Sequence, residues 1–161
     1  MNLALMIFIS IFLIFAIFYD LKWRIIPNNI TFFLIIFGFI YNLLSNGTAG
    51  LISAFSGFLV GAGFFFIFFL IGAMGAGDVK LMGGIGAVLG FKNVLIALLL
   101  TTFSGGIISL MAISAYYINR KTKSSDKFIW WDLKDKNPLK ITLPYSVAIG
   151  IGTILSFFIR S

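Results

Sequence analysis

Long stretches of this chain carry no charge, and that feature decides most of what it can fold into. Residues 1–19, 25–77 and 93–119 contain no Asp, Glu, Lys or Arg and are dominated by Phe, Ile, Leu, Ala and Gly. Crossing a bilayer as a helix takes about 20 apolar residues at about 1.5 Å rise each. Only 11% of the residues are charged and 60% are apolar. A soluble domain carries about 25% charged residues, so this chain could not cover its surface in water. The expectation is an all-α, polytopic membrane protein of about six transmembrane helices, forming one domain over 1–161.

Breaks in the apolar pattern place the spans at about 2–19, 30–45, 49–73, 94–118 and 143–159. A shorter apolar stretch, Val79 to Leu89, lies between the spans at 49–73 and 94–118. It is too short to cross upright, and reads as a partial span backed by protein. Asp20-Leu-Lys-Trp-Arg-Ile-Ile-Pro27-Asn28-Asn29 ends the first span. Pro27 with two Asn is a turn signal, because the residue before a proline avoids the helical region. Ser45-Asn46-Gly47-Thr48 is a second turn, and the broken, glycine-rich segment Gly75-Ala76-Gly77-Asp78 a third. Residues 119–142 hold most of the charge, together with Trp130 and Trp131, and read as a cytoplasmic stretch lying at the membrane interface.

The positive charges orient the chain. With the N-terminus outside, the inner segments hold Lys22, Arg24, Lys80, Arg120, Lys121, Lys123, Lys127, Lys134, Lys136 and Lys140, while the outer ones hold Lys92 and Arg160. That asymmetry follows the positive-inside rule and points to the cytoplasmic membrane. The first span has no basic region before it and no small-residue cleavage site, unlike a cleaved signal peptide. The net charge of +7 is therefore read as meeting anionic lipid, and no nucleic-acid partner is expected.

Very few residues are available for chemistry. The chain has no His and no Cys, and all five of its acidic residues are aspartates: Asp20, Asp78, Asp126, Asp132 and Asp135. Imidazole and thiolate ligands are missing, so no metal site and no cofactor are expected, nor any Ser-His or Cys-His catalytic unit. Asp126, Asp132 and Asp135 read as solvated loop charges.

Asp20 ends the first span and Asp78 follows the third. Two spans separate them, so an out-and-back excursion returns the chain to the same face, where the two carboxylates can meet. An ionisable residue at the edge of a span costs about 2.5–3.5 kcal/mol and is a functional candidate by default. The structural alternative is simple pairing, of Asp20 with Lys22 or Arg24 and of Asp78 with Lys80. Gly75 and Gly77 are expected to open the backbone beside Asp78 and admit an extended substrate strand. Gly57-Phe-Leu-Val-Gly61 and Gly86-Ala-Val-Leu-Gly90 have the spacing that packs helices closely. Lys80 either marks the cytoplasmic side or touches Asp78 or the substrate backbone.

Asp20 followed by Ile26-Pro27-Asn28, then Gly75-Ala76-Gly77-Asp78-Val79-Lys80-Leu81, resembles the type IV prepilin peptidase and preflagellin peptidase family of GxGD aspartyl proteases. Leu143-Pro144-Tyr145 through Gly150 is similar to the segment that opens the family's last span, with Val147 where many members repeat a proline. The resemblance implies a catalytic pair Asp20 and Asp78, with Gly75, Gly77, Lys80, Pro27 and Asn28 shaping the site or binding substrate. It implies an endopeptidase that removes a short basic leader from pilin-like precursor peptides at the cytoplasmic face. Longer members carry an insertion with two CxxC pairs and N-methylate the new terminus. This chain lacks the insertion and is similar to the short members, which leaves methyltransferase activity unsupported. In such a pair one carboxylate takes a proton from water while the other, protonated, hydrogen-bonds the scissile carbonyl.

Two other functions remain open on the residues alone. Intramembrane aspartates also relay protons in transporters, although a midplane position and a repeated pair of broken spans are then expected. GxGD proteases of the presenilin type pair this motif with a later Pro-Ala-Leu segment, which is missing here.

Overall fold

The computed structural model describes residues 3–122 and 145–159. Those residues form five helices: α1 (Leu3–Trp23), α2 (Asn28–Leu70), α3 (Ala76–Leu89), α4 (Phe91–Thr122) and α5 (Tyr145–Ile159). The architecture is all-α. Three helical stretches, Leu3–Trp23, Asn28–Leu70 and Phe91–Met111, are long and apolar enough to cross a membrane. The expected interfacial stretch 119–142, with Trp130, Trp131, Asp126, Asp132 and Asp135, lies almost entirely outside the described residues.

Helix α2 is two arms. Asn46 (φ −135°, ψ 16°) and Gly47 (φ 60°, ψ −142°) leave helical geometry, and only glycine adopts such a positive φ without cost. The arms fold back on each other: the Phe39 ring lies 6.4 Å from that of Phe55 and 6.2 Å from that of Phe58. In a straight helix those pairs would stand about 24 and 28 Å apart. The turn expected at Ser45–Thr48 is therefore present.

Each arm turns one stripe inward. Thr31, Leu34, Gly38 and Asn42 are buried on the first arm, and Gly50, Ala54, Gly57, Gly61 and Phe65 on the second. Spacings of three and four residues put each set on one helical face. Both stripes are rich in small residues because α3 lies against them. A Cβ on Gly38 would come within 2.7 Å of the Ala87 and Val88 backbone, and one on Gly61 within 2.6 Å of the Met82 carbonyl oxygen. Gly57 and Gly86 face each other, so that a Cβ on either would strike the other's carbonyl oxygen. The packing role expected for these glycines is realised.

Helix α3 is short and almost wholly buried: Asp78, Val79 and every residue from Leu81 to Leu89 are inside. Its C-terminal carbonyls are served by side chains. Asn42 Nδ2 donates to the Ala87 and Val88 oxygens at 2.9 and 3.1 Å, and Asn93 Nδ2 to that of Leu89 at 2.5 Å. Outward-facing positions on the other helices are apolar and exposed, among them Phe15, Phe32, Ile52, Phe66, Leu99 and Phe103. So wide an apolar surface suits lipid and would not suit water.

Two boundaries differ from expectation. Helix α1 continues through Asp20 to Trp23, because nothing breaks it before Arg24, whose φ of 56° ends it. The break after α2 falls at 71–75, with Gly72 at φ 74°, so Gly77 and Asp78 are helical. An acidic side chain in a helix's first turn is favoured by the backbone dipole, and Asp78 occupies that position in α3.

Candidate active site

One end of the bundle gathers four segments: the end of α1, the linker 24–27, the start of α3 and the start of α5. Helical spacing aims Asp20 there. The buried stripe of α1 runs Leu5, Ile9, Leu13, Ala16, Asp20, so the carboxylate occupies the inward face while Phe18 and Leu21 are exposed. Asp20 is 9% exposed and Asp78 7%.

The two carboxylates lie within electrostatic reach of each other. Asp20 is the charged neighbour that repels charge on Asp78. Ser146, the second residue of α5, donates from Oγ to Asp20 Oδ2 at 2.5 Å. Tyr145, beside it, feels the Asp78 charge and shares a hydrogen bond with Ser109 of α4. The Asp78 backbone N–H donates to the Gly75 oxygen at 3.2 Å, while Asp78 Oδ1 is buried with no partner among the described residues.

Both of the lysines expected to pair with the aspartates are engaged elsewhere. The Lys22 ammonium lies over the rings of Trp23 and Phe18, at 4.3 and 5.7 Å from their centroids. Lys80 Nζ donates to Asn28 Oδ1 at 2.8 Å. That bond ties the second turn of α3 to the first turn of α2, and Pro27 precedes α2 as its N-cap. Lys80, Pro27 and Asn28 are thus brought to the site's edge as a strut.

Neither glycine is required for the expected backbone freedom. Gly75 is extended (φ −79°, ψ 150°), a conformation open to any residue. A Cβ there would sit 3.4 Å from Asp78 Oδ2, an ordinary contact. Gly77 lets α3 meet the linker, where a Cβ would come within 3.0 Å of Ile26 Cβ. Close packing replaces backbone freedom at Gly77, and neither backbone angle nor clearance demands glycine at 75.

Next to this end lies a cavity of about 230 Å³ between α2, α4 and α5. Phe64, Phe65, Phe68, Gly105, Ser109 and Tyr145 are among its walls, so it is largely apolar, and one of its walls, Tyr145, precedes Ser146. Sequence reasoning marked Tyr145 as opening the last helix but did not single out Ser146. The available signal was the α5 stripe Ser146, Ile149, Gly150, Thr153 and Phe157, all buried, which puts that hydroxyl on the inward face.

The described residues contain no group of three potential metal ligands. Compared with known proteins, the chain matches no curated protein and no solved structure. Residues 7–110 match the family model described as the type IV leader peptidase family. That stretch contains both aspartates, the Ile26-Pro27-Asn28 linker and all of α3, and it favours a peptidase over the transporter alternative. With more than half of its length matched, this membrane protein belongs to the type IV leader peptidase family.

Proposed function

We propose that this peptidase is an aspartyl endopeptidase in which Asp20 and Asp78 together hydrolyse one peptide bond, releasing the short basic leader of a pilin-like precursor at the cytoplasmic face. The observation that carries the reading is that these two buried carboxylates, on α1 and α3 and fifty-eight positions apart, lie within reach of each other's charge, while Lys22 and Lys80 are engaged elsewhere.

The chemistry follows from that pair. A water lies between the carboxylates, and the ionised one takes its proton as the oxygen attacks the scissile carbonyl. The protonated one hydrogen-bonds the carbonyl oxygen as it becomes tetrahedral. Collapse breaks the C–N bond, and a proton delivered from the pair leaves with the new amine. Two carboxylates sharing one site do not both ionise readily, so they act as a unit. The donor set supports chemistry without a metal, since the chain has no His, Cys or Glu.

Substrate and membrane face rest on the same arrangement. The two arms of α2 together with α1, α3, α4 and α5 make six helical segments, α3 being a short one shielded by protein. Six segments with the N-terminus outside put Lys22, Arg24 and Lys80 on the same inner side as the aspartates. A precursor's apolar helix would lie along the bundle with its first apolar side chains in the Tyr145 cavity, leaving the leader junction at the carboxylates. Co-expression with pilin-like precursors from the same genome, scored by a leader-removal gel shift, tests the reading. Asp20→Asn and Asp78→Asn each abolish the shift while the protein still inserts in the membrane. Full cleavage by either variant would falsify the proposal.

A further inference from the structure

We infer that Ser146 is a positioning residue for Asp20, a hydroxyl that fixes the plane of that carboxylate for the cleavage step. The inference rests on the aspartyl-peptidase reading above and adds a third side chain to it.

A carboxylate's last torsion is broad and roughly two-fold, so a buried aspartate keeps one plane only where something holds it. Ser146 is a side-chain partner of Asp20, at 2.5 Å and fully buried. That distance belongs to the short bonds of a hydroxyl with a carboxylate. Ser104 of α4 also reaches another helix, donating to the Ala148 oxygen of α5 at 3.0 Å, but five other helical serines act locally. Ser10, Ser56, Ser109, Ser114 and Ser156 return their hydroxyls to carbonyls three or four residues back in their own helices. Ser146 stands in the first turn of α5, where the carbonyl four residues back precedes the helix. Its hydroxyl is therefore available to another helix.

The rest of α5 holds that hydroxyl in place. Gly152 lets the helix touch the Thr101 backbone of α4, and Gly150 lets it meet the Ile17 side chain of α1. The pair is then unequal: one oxygen of Asp20 is pinned, whereas Asp78 Oδ1 is without a partner. Ser146 also lies beyond the matched stretch 7–110, so its role is not read from that match.

The test is steady-state cleavage of a synthetic precursor peptide, a short Lys-rich leader joined to an apolar helix, by full-length protein in micelles. Ser146→Ala lowers kcat by about 10- to 100-fold, the scale of a small misplacement in a reacting group. KM stays within about two-fold, because the lost contact serves the reaction more than binding. Ser146→Cys, similar in size but a weak donor, falls between the two. Ser156→Ala, a buried hydroxyl on the same helix bonded to its own backbone, keeps wild-type kcat. A wild-type kcat in Ser146→Ala, a loss confined to KM, or an equal loss in Ser156→Ala overturns the inference. Should Ser146→Ala fail to accumulate, Ser146→Cys decides it by the same readout. Asp20→Asn and Asp78→Asn, assayed alongside, separate the two levels. If both are inactive while Ser146→Ala has full kcat, only the positioning role falls; activity in either removes the pair itself.

Discussion

Replacing Asn42 by alanine probes how α3, the helix that carries Asp78, is held. The side-chain amide has two hydrogens and lies near three carbonyl oxygens: Gly38 at 3.0 Å, Ala87 at 2.9 Å and Val88 at 3.1 Å. Gly38 stands one turn back in the same helical arm and has an intrahelical partner. Ala87 and Val88 are in the last turn of α3 and have none within that helix. Alanine therefore strands two buried carbonyls at about 1–3 kcal/mol each, and partial relaxation puts the expected loss at about 2–4 kcal/mol. Against a total stability of about 5–15 kcal/mol, that is a large fraction. Equilibrium unfolding in micelles reads it directly. Asn42→Asp, which removes both donors and adds a buried charge, costs at least as much. Cleavage per folded molecule should change little, because Asp78 lies at the other end of α3, about 14 Å away along the axis. Wild-type stability in Asn42→Ala, or an Asn42→Asp protein as stable as the parent, would refute the capping argument.

Four other outcomes are expected. Gly152→Ala drives a methyl into the Thr101 backbone and costs about 1–3 kcal/mol, with cleavage falling further than stability because α5 carries Ser146; Gly63→Ala, which meets nothing within 4 Å, is the neutral control. Gly77→Val forces Ile26 and the linker away from α3, so the peptide assay should lose at least about 10-fold in kcat while Gly75→Ala, with 3.4 Å of clearance to Asp78, loses less. Lys80→Ala breaks the exposed bond to Asn28 and shifts unfolding by no more than about 0.5 kcal/mol; complete loss of cleavage would instead make Lys80 a substrate contact. Strong chelators leave the initial rate of cleavage unchanged, and inhibition restored by zinc or another divalent ion would overturn the two-carboxylate chemistry.

The membrane character, the helical class and the candidate residues were legible in the sequence because each is a one-dimensional property. Uncharged runs decide what can enter lipid, Pro27 and Gly47 interrupt the helical pattern, and a chain with five acidic residues leaves few candidates for acid–base work. An even number of expected spans between Asp20 and Asp78 was compatible with their meeting on one face. The sequence could not say what those aspartates touch. Ser146 reaches Asp20 across 126 positions, and Asn42 reaches α3 across 45; no local pattern records such distances. Nor could it give the right reason for Gly77, since a glycine required for backbone freedom and one required for space look the same in a string of letters. Those matters were decided by packing: which helix lies against which, and how closely, is a property of three-dimensional contact between surfaces.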